Sequence, residues 1–210
     1  MKGARLDAVT RGIASAPLTF VWLLVLLVTT RIQRSAGRLG SRRIQRRHST
    51  NLRRLDAEPS RVLATSLFWL DEHKWSPYVP VFVGVVGPAE RRLHWWRWLL
   101  VGGSAHVIAT YLGQGVLGRS IKNGNAPRRL VNARDVGVSY FVFGVAGALS
   151  GYVQRPWRSR CQGAALAALA GNAVVRPTFT EFGHLTAFVV GLAAIPLTPD
   201  RDDMTYPFAL

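Results

Sequence analysis

The sequence predicts an all-α, polytopic membrane protein built as a bundle of six transmembrane helices. Hydrophobic residues make up 49% of the 210 residues and charged residues 18%, with a mean hydropathy of +0.13. That balance suits several apolar spans better than one soluble core. The apolar residues also fall in separated stretches divided by basic, Pro- and Gly-containing turns. The charge is strongly basic, with 27 Lys and Arg against 11 Asp and Glu, which suits the anionic headgroups of a bilayer. Nucleic acid is not an expected partner, because the chain carries no recognisable nucleic-acid-binding motif. The lone Cys161 excludes an internal disulfide and a cysteine-based zinc site.

The elements follow in order. Residues 1–12 form a short N-terminus, expected in the cytoplasm, with Lys2, Arg5 and Arg11. Residues 13–30, around "FVWLLVLLV", hold no charge and form the clearest span. No small-x-small cleavage site closes this stretch and Arg31 and Arg34 follow at once, so it is read as a retained anchor. Residues 31–76 are a basic first loop around "RRIQRRHST". It has too few large apolar residues for a core of its own, and its expected partners are anionic lipids. Within it "RVLATSLFWL" is apolar but too short to cross, and is expected to lie in the interface or to enter partway. The second span, about 77–90, is short and carries Pro80 and Pro88. "ERRLHWWRW" follows, and its tryptophans are expected at the membrane–water boundary. Span three covers about 96–117, where Gly102, Gly103, Ser104 and Ala105 suit close helix packing. "KNGNAPRR" marks a turn. Spans four to six cover about 136–153, 162–176 and 179–197, before a polar tail over 198–210. The whole of 13–197 is one membrane domain, expected as a multi-pass protein of the cell membrane.

Six spans bring two side chains to one depth. Spans four and six run in the same direction, so both start at the same face. Ser139 lies four residues after Asp135, about 6 Å along a helix axis, and His184 three after Glu181, about 4.5 Å. An intramembrane histidine level with a serine points to nucleophilic chemistry, with imidazole accepting the hydroxyl proton as serine attacks a carbonyl. The expected packing residues are Gly144, Gly147, Ala148 and Gly151 on span four and Ala187 and Gly191 on span six. Their three- and four-residue spacing lets backbones approach closely. Asp135 and Glu181 are expected to cap the starts of the two spans.

These residues resemble the rhomboid family of intramembrane serine proteases, and more narrowly the actinobacterial rhomboid-like membrane proteins, which share the "DVGVSY" and "GHL" phrases. The family has a six-helix core, and its fourth helix carries GxSGxxxGxxGA. Gly137, Ser139, Gly144, Gly147 and Ala148 stand in that register. Its sixth helix carries AHxxGxxxG, matched by His184, Ala187 and Gly191. "GPAERRL", with Gly87 and Glu90, is similar to the end of the family's second helix. The similarity spans roughly residues 15–197 and implies Ser139 as nucleophile and His184 as general base. It implies neither metal nor cofactor.

Two departures stand out. Tyr140 replaces the glycine after the serine, where a phenol would fill the substrate pocket or donate into it. The family's HxxxN, which helps bind the oxyanion, falls near Lys74 and Tyr78 when counted back from Glu90, and neither residue matches. His106 and Thr110 imitate that spacing on span three. Gly137, Tyr140 and His106 are accordingly the expected neighbourhood of the substrate and oxyanion.

Two functions stay open on this basis. One is a protease that cleaves transmembrane helices with a Ser139/His184 dyad, a serine hydrolase. The other is a non-catalytic pseudoprotease that binds transmembrane-helix clients in the same groove. A lipid-organising scaffold built on the basic loop is a third, weaker reading. The resemblance implies an N-terminus inside the cell. Seventeen of the 27 Lys and Arg then lie outside and ten inside, eleven of the seventeen in residues 31–76, against the positive-inside rule.

Overall fold

The computed structural model describes residues 12, 14–71 and 74–199. The regular structure of the described residues is all helical, with no strand. The first helix, α1 (Pro17–Ser35), opens on a proline and holds no charge before Arg31. It is the one described helix that is long and apolar enough to cross a membrane by length and composition. Its first N–H groups are satisfied from a distance. Glu90 accepts from the backbone of Leu18 at 3.0 Å and of Thr19 at 2.7 Å, and from the Thr19 hydroxyl at 2.6 Å. A buried carboxylate at a helix N-terminus completes the free donors and complements the helix dipole.

The basic loop is a folded layer of three short helices: α2 (Gly37–His48), α3 (Leu52–Ala57) and α4 (Pro59–Ser66). Lacking large apolar residues, it is fastened mainly by buried polar groups. Gln33 and Gln45 donate to the carbonyls of Leu70 (3.1 Å) and Asp71 (2.5 Å). Thr50 donates its N–H to Asp135 O at 3.0 Å, and Gln114 donates to Thr50 O at 2.8 Å. Asn51 caps α3 by accepting from Arg54 N. "RVLATSLFWL" packs one face inward: Val62, Ser66 and Leu70 are buried, and Trp22 donates to Leu67 O at 2.8 Å.

The second apolar stretch is one interrupted helical path. It runs through α5 (Tyr78–Val81), a π-helical turn (Phe82–Val86) and α6 (Gly87–Leu93). The widened turn stands just ahead of Pro88. Proline has no N–H and its ring crowds the carbonyl four residues back. The Gly87 N–H reaches Phe82 O, five residues back, so the turn widens instead of the helix ending. His94, with φ of 62°, then breaks the path.

Helix α7 (Trp95–Lys122) follows, then α8 (Gly137–Leu149), α9 (Trp157–Val175) and α10 (Phe179–Ala193). The buried face of α7 runs Trp98, Val101, Gly102, Ala105, His106, Ala109, Gly113 and Leu117, the spacing of one helical stripe. That stripe corrects the expectation for the tryptophan cluster. Trp95 and Trp96 are exposed, but Trp98 is 3% exposed. Three residues from Trp95, it turns inward to meet Trp22 and Phe141 edge-on, at ring-centroid distances of 6.0 and 4.7 Å. Phe141 in turn fills the space a Cβ on Gly102 would occupy, whereas Gly103 faces open space.

Helices α7, α8 and α10 form the tight centre. A Cβ added to Gly191 would lie 1.9 Å from Gly144 O, and one on Gly147 would lie 2.5 Å from Phe188 O. Ala105 occupies the space in front of Gly144, Ile195 stands over Gly151, and Ala187 is fully buried. Backbone-to-backbone approach of this kind is what small residues permit.

Candidate functional site

Ser139 sits in the first turn of α8 and His184 in the second turn of α10. The close α8–α10 packing below them brings the two together, with His184 Nε2 3.0 Å from Ser139 Oγ. The other ring nitrogen, Nδ1, faces Glu181 Oε2 at 3.4 Å, and Asn172 of α9 donates to that same oxygen. A carboxylate on Nδ1 favours the tautomer with a proton there, which leaves Nε2 free to accept the hydroxyl proton. Thr178 caps α10 and accepts from Glu181 N at 3.3 Å, so the Glu181 carboxylate is free to turn toward the ring. Phe143 and Tyr140 flank the imidazole at centroid distances of 4.7 and 5.5 Å.

The pairing of Glu181 with Nδ1 differs from the capping expected of this residue. Its signal was available, since a glutamate three residues before a histidine shares its helix face. Asn172 had no such signal, because it arrives from another helix.

Gly137, Tyr140 and His106 are also brought together, on another side of α8. Tyr140 is fully buried and donates its hydroxyl to Asp135 Oδ2 at 2.6 Å. The ring lies against Gly183, where a Cβ would come within 2.4 Å of the phenol carbon. His106 occupies the space beside Gly137, where a Cβ would fall 2.3 Å from its ring. Its Nε2 lies 3.1 Å from Leu63 O and 3.3 Å from Ser66 Oγ, and Thr110 Oγ1 lies 3.4 Å from Nδ1. His106 therefore ties α7 to α4, and Thr110 contacts its ring from one turn along α7. Asp135 accepts a single backbone N–H, from Val136 at 3.1 Å, and its second oxygen takes the phenol. Burial pushes this carboxyl up to about 7, against the lowering effect of those two hydrogen bonds.

The serine opens instead onto a groove of about 380 Å³, walled by Lys74, Pro77, Tyr78, Val81, Val142 and Phe143. Tyr140, Gly137 and His106 are not among its walls. The phenol that replaces the family's glycine thus points away from the serine's opening, because Asp135 and Gly183 provide its place in the core.

The family profile described as rhomboid-like protein matches residues 11–204. The chain belongs to the rhomboid-like proteins. Neither a curated protein nor a solved structure gives a significant match. This rhomboid-like protein is accordingly a membrane protein, and its all-helical architecture agrees with a rhomboid-like helical bundle. The positions that carried the resemblance are those that the fold gathers. Glu90 holds the start of α1, the α8 and α10 glycines set the helix spacing, and Ser139 meets His184 at the mouth of the groove.

Proposed function

We propose that this rhomboid-like protein is an intramembrane serine endopeptidase of the cell membrane that cleaves transmembrane-helix substrates. The observation that carries the reading is the contact of Ser139 Oγ with His184 Nε2 at 3.0 Å, with Glu181 behind the ring. Nucleophile, base and orienting carboxylate in hydrogen-bond sequence is the arrangement nucleophilic catalysis requires. The groove beside Ser139 supports it, being apolar along Val81, Val142 and Phe143 and open enough for an extended peptide.

Ser139 attacks the scissile carbonyl, and His184 takes its proton and returns it to the leaving amine. The polypeptide crosses six times with its N-terminus inside, so the serine lies just below the outer face. The arginines of the first loop do not set this orientation, because that loop is a folded layer held by buried hydrogen bonds rather than a free basic connection. Its outer surface binds anionic lipid. Arg38, Arg42, Arg43, Arg46 and Arg47 are exposed on α2 and pair with no described carboxylate.

A serine-reactive fluorophosphonate on the detergent-purified protein tests the activity. Labelling is expected in the wild type and absent in both Ser139→Ala and His184→Ala. A folded wild type that stays unlabelled would overturn the protease reading. Transmembrane partners retained by both variants would then favour the non-catalytic client binder.

A further inference from the structure

We propose that Lys74 supplies the charge that stabilises the oxyanion formed when Ser139 attacks a carbonyl. The inference rests on the protease reading and adds the group that reading lacks. Attack forms a bond from Ser139 Oγ to the carbonyl carbon, and the hydroxyl proton passes to His184 Nε2. The C=O π pair moves onto oxygen, which becomes an alkoxide. Collapse restores the carbonyl and expels the amine, which takes the proton back from His184. Donors or cations aimed at that alkoxide contribute most in a site walled by apolar groups, where water does not screen them.

Among the described residues, Lys74 is the one charged wall of the groove that includes Ser139. Its ammonium is paired with no described carboxylate. Val81, Val142 and Phe143 supply apolar wall beside Ser139, and Lys74 brings the charge to the same groove.

The chain just after Lys74 is anchored. Next to it, Trp75 donates its indole N–H to Leu23 O of α1 at 2.9 Å. The Trp75 carbonyl accepts from Tyr78 N at 3.0 Å and starts α5. Trp75 thus fixes the chain on the C-terminal side of Lys74. That is the preorganisation an oxyanion site requires.

The test is the second-order rate of fluorophosphonate labelling in the full chain, for wild type, Lys74→Met and Lys74→Arg. The probe's phosphoryl oxygen takes the position of the alkoxide, and the probe carries no carboxylate, so recognition of an acidic substrate side chain does not enter the rate. Lys74 is exposed, and unchanged thermal midpoints in detergent confirm that each variant folds. The expected result is Lys74→Met labelling on the order of 10²-fold slower, with Lys74→Arg recovering most of the rate. A Lys74→Met rate equal to wild type overturns the inference and spares the protease reading. Equal slowing in Met and Arg variants also overturns it, since charge would not be the cause. A folded wild type that never labels removes both.

Discussion

Tyr140 shows how a single position reads differently in sequence and in space. Beside a nucleophile, a large side chain in place of glycine looks like an obstruction. The core instead provides Gly183 and Asp135 to receive it, and the ring leaves the groove. The Asp135–Tyr140 bond spans five residues across a helix start, a separation no helical periodicity marks, so it was not legible in the sequence. The serine and histidine were legible because each stands in a glycine register that fixes its depth. The buried pair has a pH signature. The Asp135 carboxyl is raised from its ordinary 3.8 to about 7, chiefly by burial. A raised pKa favours the folded state below the ordinary value, and this contribution is lost as pH rises through about 7. The thermal midpoint in detergent is expected to fall between pH 4 and pH 8, and Asp135→Asn to flatten that fall. Tyr140→Phe leaves a buried carboxyl oxygen without its donor and is expected to cost about 1–3 kcal/mol, read as a lower midpoint across the range.

Among elements, the α8–α10 pair decides whether the site exists. Gly191 meets the backbone of Gly144, and backbone cannot rotate away as a flexible side chain can. Gly191→Ala is expected to cost about 1–3 kcal/mol as overpacking. It should also abolish fluorophosphonate labelling by prising His184 from Ser139. Gly103→Ala, on a face with open space, should leave both midpoint and labelling unchanged, so the pair of variants separates a spacing effect from a general effect of added methyls. Small-residue spacing made this packing legible. Two other elements were not. The first loop is secured by Gln33, Gln45, Thr50 and Gln114, whose polar side chains carry no hydrophobic period, so its layered fold left no pattern in the sequence. Pro80 and Pro88 suggested a weak span, whereas the π turn before Pro88 lets the helical path continue into α6.

At the scale of the whole molecule, the proposed orientation has a built-in reporter. Cys161 is the chain's single cysteine and is exposed at the start of α9, on the connection between the fourth and fifth crossings. With the N-terminus inside, a membrane-impermeant maleimide should leave Cys161 unlabelled in intact cells and label it after permeabilisation. Labelling of intact cells would invert the orientation. The proposed crossings are uneven in length. The path through residues 78–93, the apolar segment Gly137–Tyr152 and helix Phe179–Ala193 are each about 22–24 Å long at ~1.5 Å per residue. A bilayer's hydrocarbon layer is about 30 Å thick. The longer helices, Pro17–Ser35, Trp95–Lys122 and Trp157–Val175, do not share that deficit. The mismatch is therefore one-sided and falls on the elements that wall the groove or carry Ser139 and His184. The proposed six-span arrangement therefore predicts thinner lipid there, with shorter or more disordered acyl chains, and ordinary thickness elsewhere around the protein. For the proposed protease, a substrate helix drifting into this depression is expected to lose hydrocarbon cover near its outer end before it touches the protein, which makes acyl-chain length a determinant of how readily that end reaches the serine.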